Sequence, residues 1–522
     1  MNKWRIFSVA AAAAMLLTGC AKIEQDTMPE LIAATETTTL VPVATATEQT
    51  THESVALQVP EITREEADIT LEAEDVSIPT GCSVSIVPRL GYSGTGYLSG
   101  LNAENGSTLE LEADIPATQH YDITVVLGAD TPSTCRILAN GEPVYTLKAE
   151  ENENFVRATV QGIFLSKGKC KLEIEPVSGI VDIDCVELVN NTSLYDEDAA
   201  IAQTPVNPHA SASAKALLKF LVDNYGRKIV TGQYVSDSTN KELEQIYQVT
   251  GAYPLIRFAD MQNYSRNGGN AAQATAVEDS LAWAQEGGIA GLSWYWNAPA
   301  GNASIYAKDT TFDLSAAVTD KDIATATDAQ LSQMAASGEI SEGCYAMIQD
   351  IDAVSEQLKK LADADVPVLW RPLMEAGGDW FWWGASGADA YRWLWELMYT
   401  RMTEYHQLNN LLWIWNGQSS SYQVDKSQYD IASLDVYVKD KTEAYGSRYE
   451  QYVALRNMTG GKLLALSECS TVPDMNAMFR DNAVWSFFGL WYAPYLGEYT
   501  SNDALLSVYH SEGALVRGDY QP

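Results

Sequence analysis

Two glutamates carry the chemistry legible in this sequence: Glu375, in RPLMEAGGDWFWWG (371–384), and Glu468, in ALSECSTVPD (465–474). Each closes an apolar run, and the first is followed within eight residues by four aromatic rings. Such a carboxyl pair can break a glycosidic bond. One group protonates the departing oxygen while the other attacks the anomeric carbon, provided they stand roughly 5 to 5.5 Å apart. Either glutamate alone reads as an exposed strand-end residue, and only the pairing points to chemistry. The five histidines, His52, His120, His209, His406 and His510, are scattered. None neighbours a candidate nucleophile or sits at ligand spacing, which argues against zinc and Ser-His-Asp chemistry. A formal net charge of -36 argues against nucleic acid and anionic surfaces as partners.

The elements that must position this pair follow from the pattern around it. Eight apolar runs read as strands: 228–235, 254–261, 288–297, 366–375, 410–418, 431–437, 462–468 and 485–492. Helical sequence lies between them. The clearest stripe is Met347, Ile351, Val354, Leu358 and Leu361, with further helices expected at 271–287, 386–406 and 444–458. Eight strands each followed by helical sequence predict an α/β (β/α)8 TIM barrel over 205–522. In that fold the catalytic groups sit at the C-terminal ends of strands, and Glu375 and Glu468 end the fourth and seventh. The connection from 298 to 344 is long enough to shape the active face.

The N-terminal part differs in kind. Lys3 and Arg5, an apolar run over 6–17, and Leu17-Thr18-Gly19-Cys20 predict a lipoprotein signal at 1–19 with Cys20 lipidated. That puts the chain on the extracellular face of a bacterial membrane. Residues 20–66, rich in Thr, Ala and Glu, read as a flexible linker. Residues 67–190 contain short alternating strands and a hairpin signal at Asn140-Gly141, and predict an all-β sandwich of jelly-roll type. Thirteen of fourteen tryptophans lie beyond residue 282, which separates this part from the barrel. No cysteines form a CxxC pair, and free buried thiols are expected. Glu72, Glu74 and Asp184 alternate with apolar neighbours, a pattern that solvated sheet faces also give.

The sandwich resembles a carbohydrate-binding module of families 35 and 6, through LEAED (71–75), GYSGTGYL (91–98) and VDIDCVEL (181–188). The resemblance implies a structural calcium ion held by Glu72, Glu74 and Asp184. Tyr92 and Tyr97 are its nearest candidates for sugar stacking. The barrel resembles glycoside hydrolase family 26, a retaining family best known for endo-β-1,4-mannanases. RPLMEAGGDWFWWG resembles its acid/base motif, ALSECSTVPD its nucleophile motif, LSWYWNAPAG (292–301) its third-strand motif, LDVY (434–437) its sixth-strand motif, and TGQY (231–234) its first strand.

By that resemblance Glu375 is the acid/base, Glu468 the nucleophile, and Tyr437 a hydrogen-bond donor to the nucleophile. Arg371 holds a carboxylate or sugar hydroxyl at the base of the site. Trp294 and Trp380 are sugar platforms, Trp491 floors the cleavage subsite, and Tyr295 and Asn297 contact substrate. Trp296, Trp382 and Trp383 pack behind. No catalytic cofactor is implied. The family usually carries histidine where this chain has Tyr295 and Met374. One reading is a Tyr-Met contact that alters the proton environment of Glu375, the other a change with little effect. The expected activity is a retaining endo-β-1,4-mannanase acting, as a monomer, on mannan, glucomannan or galactomannan. Mixed-linkage glucanase, β-1,3-xylanase and a non-catalytic sugar-binding lipoprotein are the alternatives.

Overall fold

The computed structural model describes residues 54–192, 201–438 and 446–521. The predicted signal, Cys20 and most of the linker lie outside the described residues. So does the start of the helix expected at 444.

Residues 68–190 form two antiparallel sheets. One runs Ser83–Ser85, Tyr97–Asn102, Ile180–Asn190, Gln119–Ala129, Val156–Leu165, with Asp68–Glu72 also on Ile180–Asn190. The other runs Leu109–Ile115, Gly168–Ser178, Ser133–Ala139, Glu142–Ala149. The cause is period-two burial. In Leu109–Ile115 the residues Leu109, Leu111, Ala113 and Ile115 face the core while Glu110, Glu112 and Asp114 face solvent. The Asn140-Gly141 hairpin takes positive φ at both positions (53° and 85°), the two-residue turn whose twist suits the strands it joins.

Eight parallel strands close the barrel in sequence order. They are β1 (Gly232–Tyr234), β2 (Ile256–Asp260), β3 (Ile289–Trp294), β4 (Val368–Pro372), β5 (Leu411–Trp415), β6 (Ile431–Val436), β7 (Leu463–Cys469) and β8 (Phe488–Leu490). All eight predicted strands are present, several shorter than expected. The first divides, because Ile229–Val230 leaves the barrel to pair with Ala514–Leu515. The fourth stops at Pro372, and Glu375 follows in a turn. The predicted stripe lies on helix Glu342–Asp363, which buries Met347, Ile351, Val354, Leu358 and Leu361 and is capped by Ser341 Oγ accepting from Cys344 N. Of the other expected helices, Ala276–Gln285 and Tyr449–Thr459 form, and Ala388–Thr400 continues into a π turn at Arg401–Tyr405.

The long connection after β3 folds over the segment 380–382. Tyr306 bridges Phe381, Ala307 N donates to Trp380 O at 2.8 Å, and Trp382 N donates to Ile305 O at 3.1 Å. Arg401, fully buried, anchors the connection from below by donating to the carbonyls of Ile323, Ala324 and Ala326. The sandwich meets the barrel beside the helix Tyr449–Thr459. There His120 Nε2 bonds the Arg480 carbonyl at 2.9 Å, Tyr449 Oη donates to the Gln161 carbonyl, and Arg480 lies over the Phe164 ring. An extended strap before the sandwich also grips the barrel: Val55 N donates to His510 O and Glu512 N to Val55 O.

Candidate active site

Each predicted catalytic glutamate reaches the barrel mouth differently. Glu468 lies inside β7, where the pairing to β6 and β8 slips near it, a bulge that re-aims the carboxylate. Glu375 sits three residues beyond β4 with φ 53°, a left-handed conformation rare for a residue with a side chain. Its backbone N–H donates to Asn416 O at 2.6 Å, which fixes the turn. Leu373 and Gln418, at φ 51° and 54°, are held in the same region, and such residues concentrate where function requires one geometry.

Three carboxylates converge here. Glu375, Asp435 and Glu468 are buried and present oxygens within 4.8 Å of one another. Unpaired, they would repel in a low-dielectric site. Arg371, wholly buried on β4, stands between two of them: Nη2 pairs with Asp435 and Nη1 with Glu468 Oε1. Tyr295 Oη donates to the same Oε1 at 2.7 Å, and Tyr437 Oη donates to Oε2 at 2.5 Å. Three donors thus converge on Glu468.

Glu375 is held differently. Burial first, then the negative charges of Asp435 and Glu468, keep its carboxyl well above the usual glutamate range. Trp380 Nε1 donates to its Oε2 at 3.1 Å and Gln418 Nε2 to its Oε1 at 3.2 Å. Burial also lifts Asp435 to about 7, against the pull of Arg371. The two glutamates therefore sit in unlike environments, Glu375 pushed toward its protonated form and Glu468 met by three donors, the asymmetry that separates an acid from its partner.

The expectations for Tyr437 and Arg371 match this geometry. Others are corrected. Trp294 is not a platform: it is fully buried, stacked on Trp296 at 4.1 Å, and its Nε1 donates to Ser265 Oγ. Residues two apart share a strand face, so Trp294 packs behind with Trp296 and the intervening Tyr295 points inward. Tyr295 gives its hydroxyl to Glu468, a bond that neither reading of the Tyr295 and Met374 positions included. Met374 is buried, with its carbonyl accepting from Trp383 Nε1. Asn297 holds the loop, accepting from Gln262 Nε2 and donating to Asn267 O. Trp380 is half-buried beside Glu375. Trp491 is largely buried, with its ring centroid 4.6 Å from Tyr234 and 5.9 Å from Tyr295. Trp382 and Trp383 pack as expected. The glycine closing WFWWG is explained by approach: a Cβ on Gly384 would lie 2.2 Å from Ala376 O.

Sequence reasoning did not assign Asp435, Asn416 or Gln418. Asp435 had a signal, since it stands two residues before Tyr437 and shares its face of β6. Asn416 Nδ2 donates to Ser433, Ser467 and Asp435, and Gln418 Nε2 bridges Glu375 to Asp435. No spacing rule announces such partners.

In the sandwich, Glu72, Glu74 and Asp184 meet at the turn Ser93–Gly96. Ser93 Oγ donates to Glu72, Ser93 N to Asp184, and the backbone N–H groups of Thr95 and Gly96 to Glu74. A Cβ on Gly94 would lie 2.2 Å from Glu74 Oε1, so the turn needs glycine there. Asp184 is buried because the register slips between Ile183 and Val186. Tyr97 is buried, with its ring against Phe155 and Tyr92, and is not an open stacking surface. All six cysteines among the described residues are free, as expected.

A closed parallel barrel with paired glutamates at its mouth, joined to a β-sandwich, defines a modular glycoside hydrolase. The family comparisons make this specific. Residues 206–518 match the model of glycosyl hydrolase family 26 and residues 69–190 that of carbohydrate binding module family 35. The chain belongs to glycoside hydrolase family 26 and carries a family 35 module. It is 32% identical over 468 residues to a mannan endo-1,4-β-mannosidase of Thermothelomyces thermophilus, covering 87% of this chain and 90% of that one. A mannan endo-1,4-β-mannosidase B of a Piromyces species is 30% identical, covering 86% and 77%. The solved structure of a family 26, module 35 β-(1,4)-mannanase from Podospora anserina matches with TM-score 0.59 and 29% identity, covering 88% of this chain and 99% of that one.

Proposed function

We propose that this protein is a retaining endo-β-1,4-mannanase that cleaves mannan, glucomannan or galactomannan through a covalent glycosyl-enzyme intermediate. The carrying observation is the approach of Glu375 and Glu468 to within 4.8 Å, the first kept well above the usual glutamate range by burial and neighbouring charge and the second held by donors. Inverting enzymes leave about 6.5 Å or more between carboxyl groups for a water. The relatives' names support mannan as the substrate.

In the first step Glu468 attacks the anomeric carbon, the glycosidic bond breaks, and Glu375 gives its proton to the departing oxygen. In the second, a water gives a proton to Glu375 and attacks the same carbon, and Glu468 leaves as a carboxylate. Arg371 supplies a positive charge beside Glu468 throughout. Incubating the protein with mannan, xylan and mixed-linkage glucan and measuring new reducing ends tests the reading. Mannan alone should be cut, with the β anomer formed first, and Glu468→Ala should lose about a thousandfold or more in kcat. Cleavage of xylan or glucan in preference to mannan overturns the substrate assignment, and initial α product overturns the mechanism.

We propose also that Glu72, Glu74 and Asp184 hold a structural calcium ion. Supporting this, Glu74 Oε2 is buried with no hydrogen-bond partner, and oxygen donors of this kind suit a hard cation. Chelation by EDTA should lower the unfolding midpoint and calcium restore it. We propose further that lipidated Cys20 anchors the chain to the extracellular face of a bacterial membrane, where it works as a monomer; Lys3, Arg5 and Leu17-Thr18-Gly19-Cys20 support the anchor.

A further inference from the structure

Tyr295 is unusually constrained for a residue at a sugar-binding face. Its backbone N–H donates to Asp260 Oδ1 at 2.9 Å, and Gln262 N donates to the same oxygen. Its ring lies edge-on to Phe381 and to Trp491, at 6.0 and 5.9 Å, and only 3% of the residue is exposed. The hydroxyl cannot wander, and it aims at one atom, Oε1 of Glu468.

The two oxygens of Glu468 are therefore unequal. Oε1 accepts from Arg371 Nη1 and Tyr295, a cationic donor and a hydroxyl, whereas Oε2 accepts from Tyr437. Attack through Oε1 would sacrifice two donors, one of them charged. Attack through Oε2 sacrifices one and leaves Oε1 as the carbonyl oxygen of the ester. Donors aimed where charge develops cost no reorganisation at the moment of reaction.

We propose that Oε2 of Glu468 is the attacking oxygen and that Tyr295 is a positioning residue for the second half of the reaction, an inference that rests on the retaining reading above. When the ester breaks, the C1–Oε2 bond gives its electron pair to the carboxylate, water bonds to C1, and its proton goes to Glu375. The charge returning to Glu468 spreads onto Oε1, where Tyr295 and Arg371 receive it. Tyr295 thus makes Glu468 a better leaving group. In the first half-reaction the same bond restrains the nucleophile, so its removal does not slow that half.

The test is Tyr295→Phe, which keeps the ring contacts and removes only the hydroxyl, assayed on an aryl β-mannobioside whose departing group needs little acid help. The hydroxyl bonds a charged group, so kcat should fall about ten- to a hundredfold. KM should fall in parallel, leaving kcat/KM within about threefold. Acid-quenched protein should carry a sugar ester on Glu468, seen by mass spectrometry, at a higher steady-state level than wild type. Tyr437→Phe, on the attacking oxygen, should instead lower kcat and kcat/KM together. The proposal is overturned if Tyr295→Phe lowers kcat/KM as far as kcat with no added ester, or if the two variants behave alike. Trapping the wild type with a 2-deoxy-2-fluoro-β-mannosyl fluoride separates the two readings: absence of an ester on Glu468 there defeats the retaining mechanism itself.

Discussion

At the scale of single residues, the site is governed by how three buried acids share one arginine. Asp435 takes half of Arg371 and, with burial, holds Glu375 above its ordinary range. In the proposed reaction Glu375 must be protonated to act, so activity should be present below its raised pKa and lost as pH climbs through it. Asp435→Asn removes a negative charge beside Glu375. The basic limb of the kcat/KM profile should therefore move to lower pH. A limb that stays in place would mean that burial alone sets the acid. The same substitution leaves Arg371 half-paired and should lower kcat at every pH. Glu375 and Glu468 were legible because their motifs and strand ends coincide. Tyr295 was legible as a residue of interest but not in its role, since the direction of its hydroxyl depends on the twist of β3 and on Asp260 across from it.

At the scale of elements, the connection after β3 carries more responsibility than its irregular sequence suggests. It presses on the segment holding Trp380 and is itself tied to Arg401. That guanidinium is fully buried and also pairs through Nε and Nη2 with Asp352, which bonds His406 Nε2. Truncating one partner of such a network leaves a desolvated charge and three orphaned carbonyls. Arg401→Ala should cost about 3 to 5 kcal/mol of stability, measured by chemical unfolding. Arg401→Met, which keeps much of the volume, should recover part of that loss, because packing accounts for some of it. An alanine variant within about 0.5 kcal/mol of wild type would remove the arginine from this role. The length of the connection could be read from the sequence, but its course could not. Nothing local announces that Tyr306 bridges Phe381 or that an arginine eighty residues on will cap its carbonyls.

For the whole molecule, burial of acids is the recurring device. Burial raises Asp260, Asp435 and Glu450 to about 7 and Asp350 and Asp430 to about 6. An acid raised in the folded state stabilises below its unfolded pKa, and that contribution is lost as pH rises through the folded value. His120, lowered by burial at the junction of the domains, works in the opposite sense, losing its contribution as pH falls below its unfolded value. These acids, with Glu375, outweigh the one histidine in a chain of net charge -36 and set the direction. The unfolding midpoint should fall as pH rises from about 5.5 to about 8. A midpoint that rises over that range would show that the buried acids do not dominate.

The sequence by itself determined the two architectures, because period-two burial and the strand-helix alternation are local properties that no distant contact overrides here. It also singled out Glu375 and Glu468 as the paired glutamates that the structure brings together, since a barrel converts strand ends into a site. Only the tertiary structure decided which aromatic faces inward, which oxygen of Glu468 each donor meets, and that Asp435, Asn416 and Gln418 join them. Those outcomes depend on a bulge in β7, a left-handed turn after β4 and the closure of the barrel, which bring residues as far apart as Tyr295 and Glu468, 173 positions, within hydrogen-bonding distance. Strand phase decides that Trp294 packs behind while Tyr295 faces Glu468, and phase at a strand end is set by the neighbouring strands.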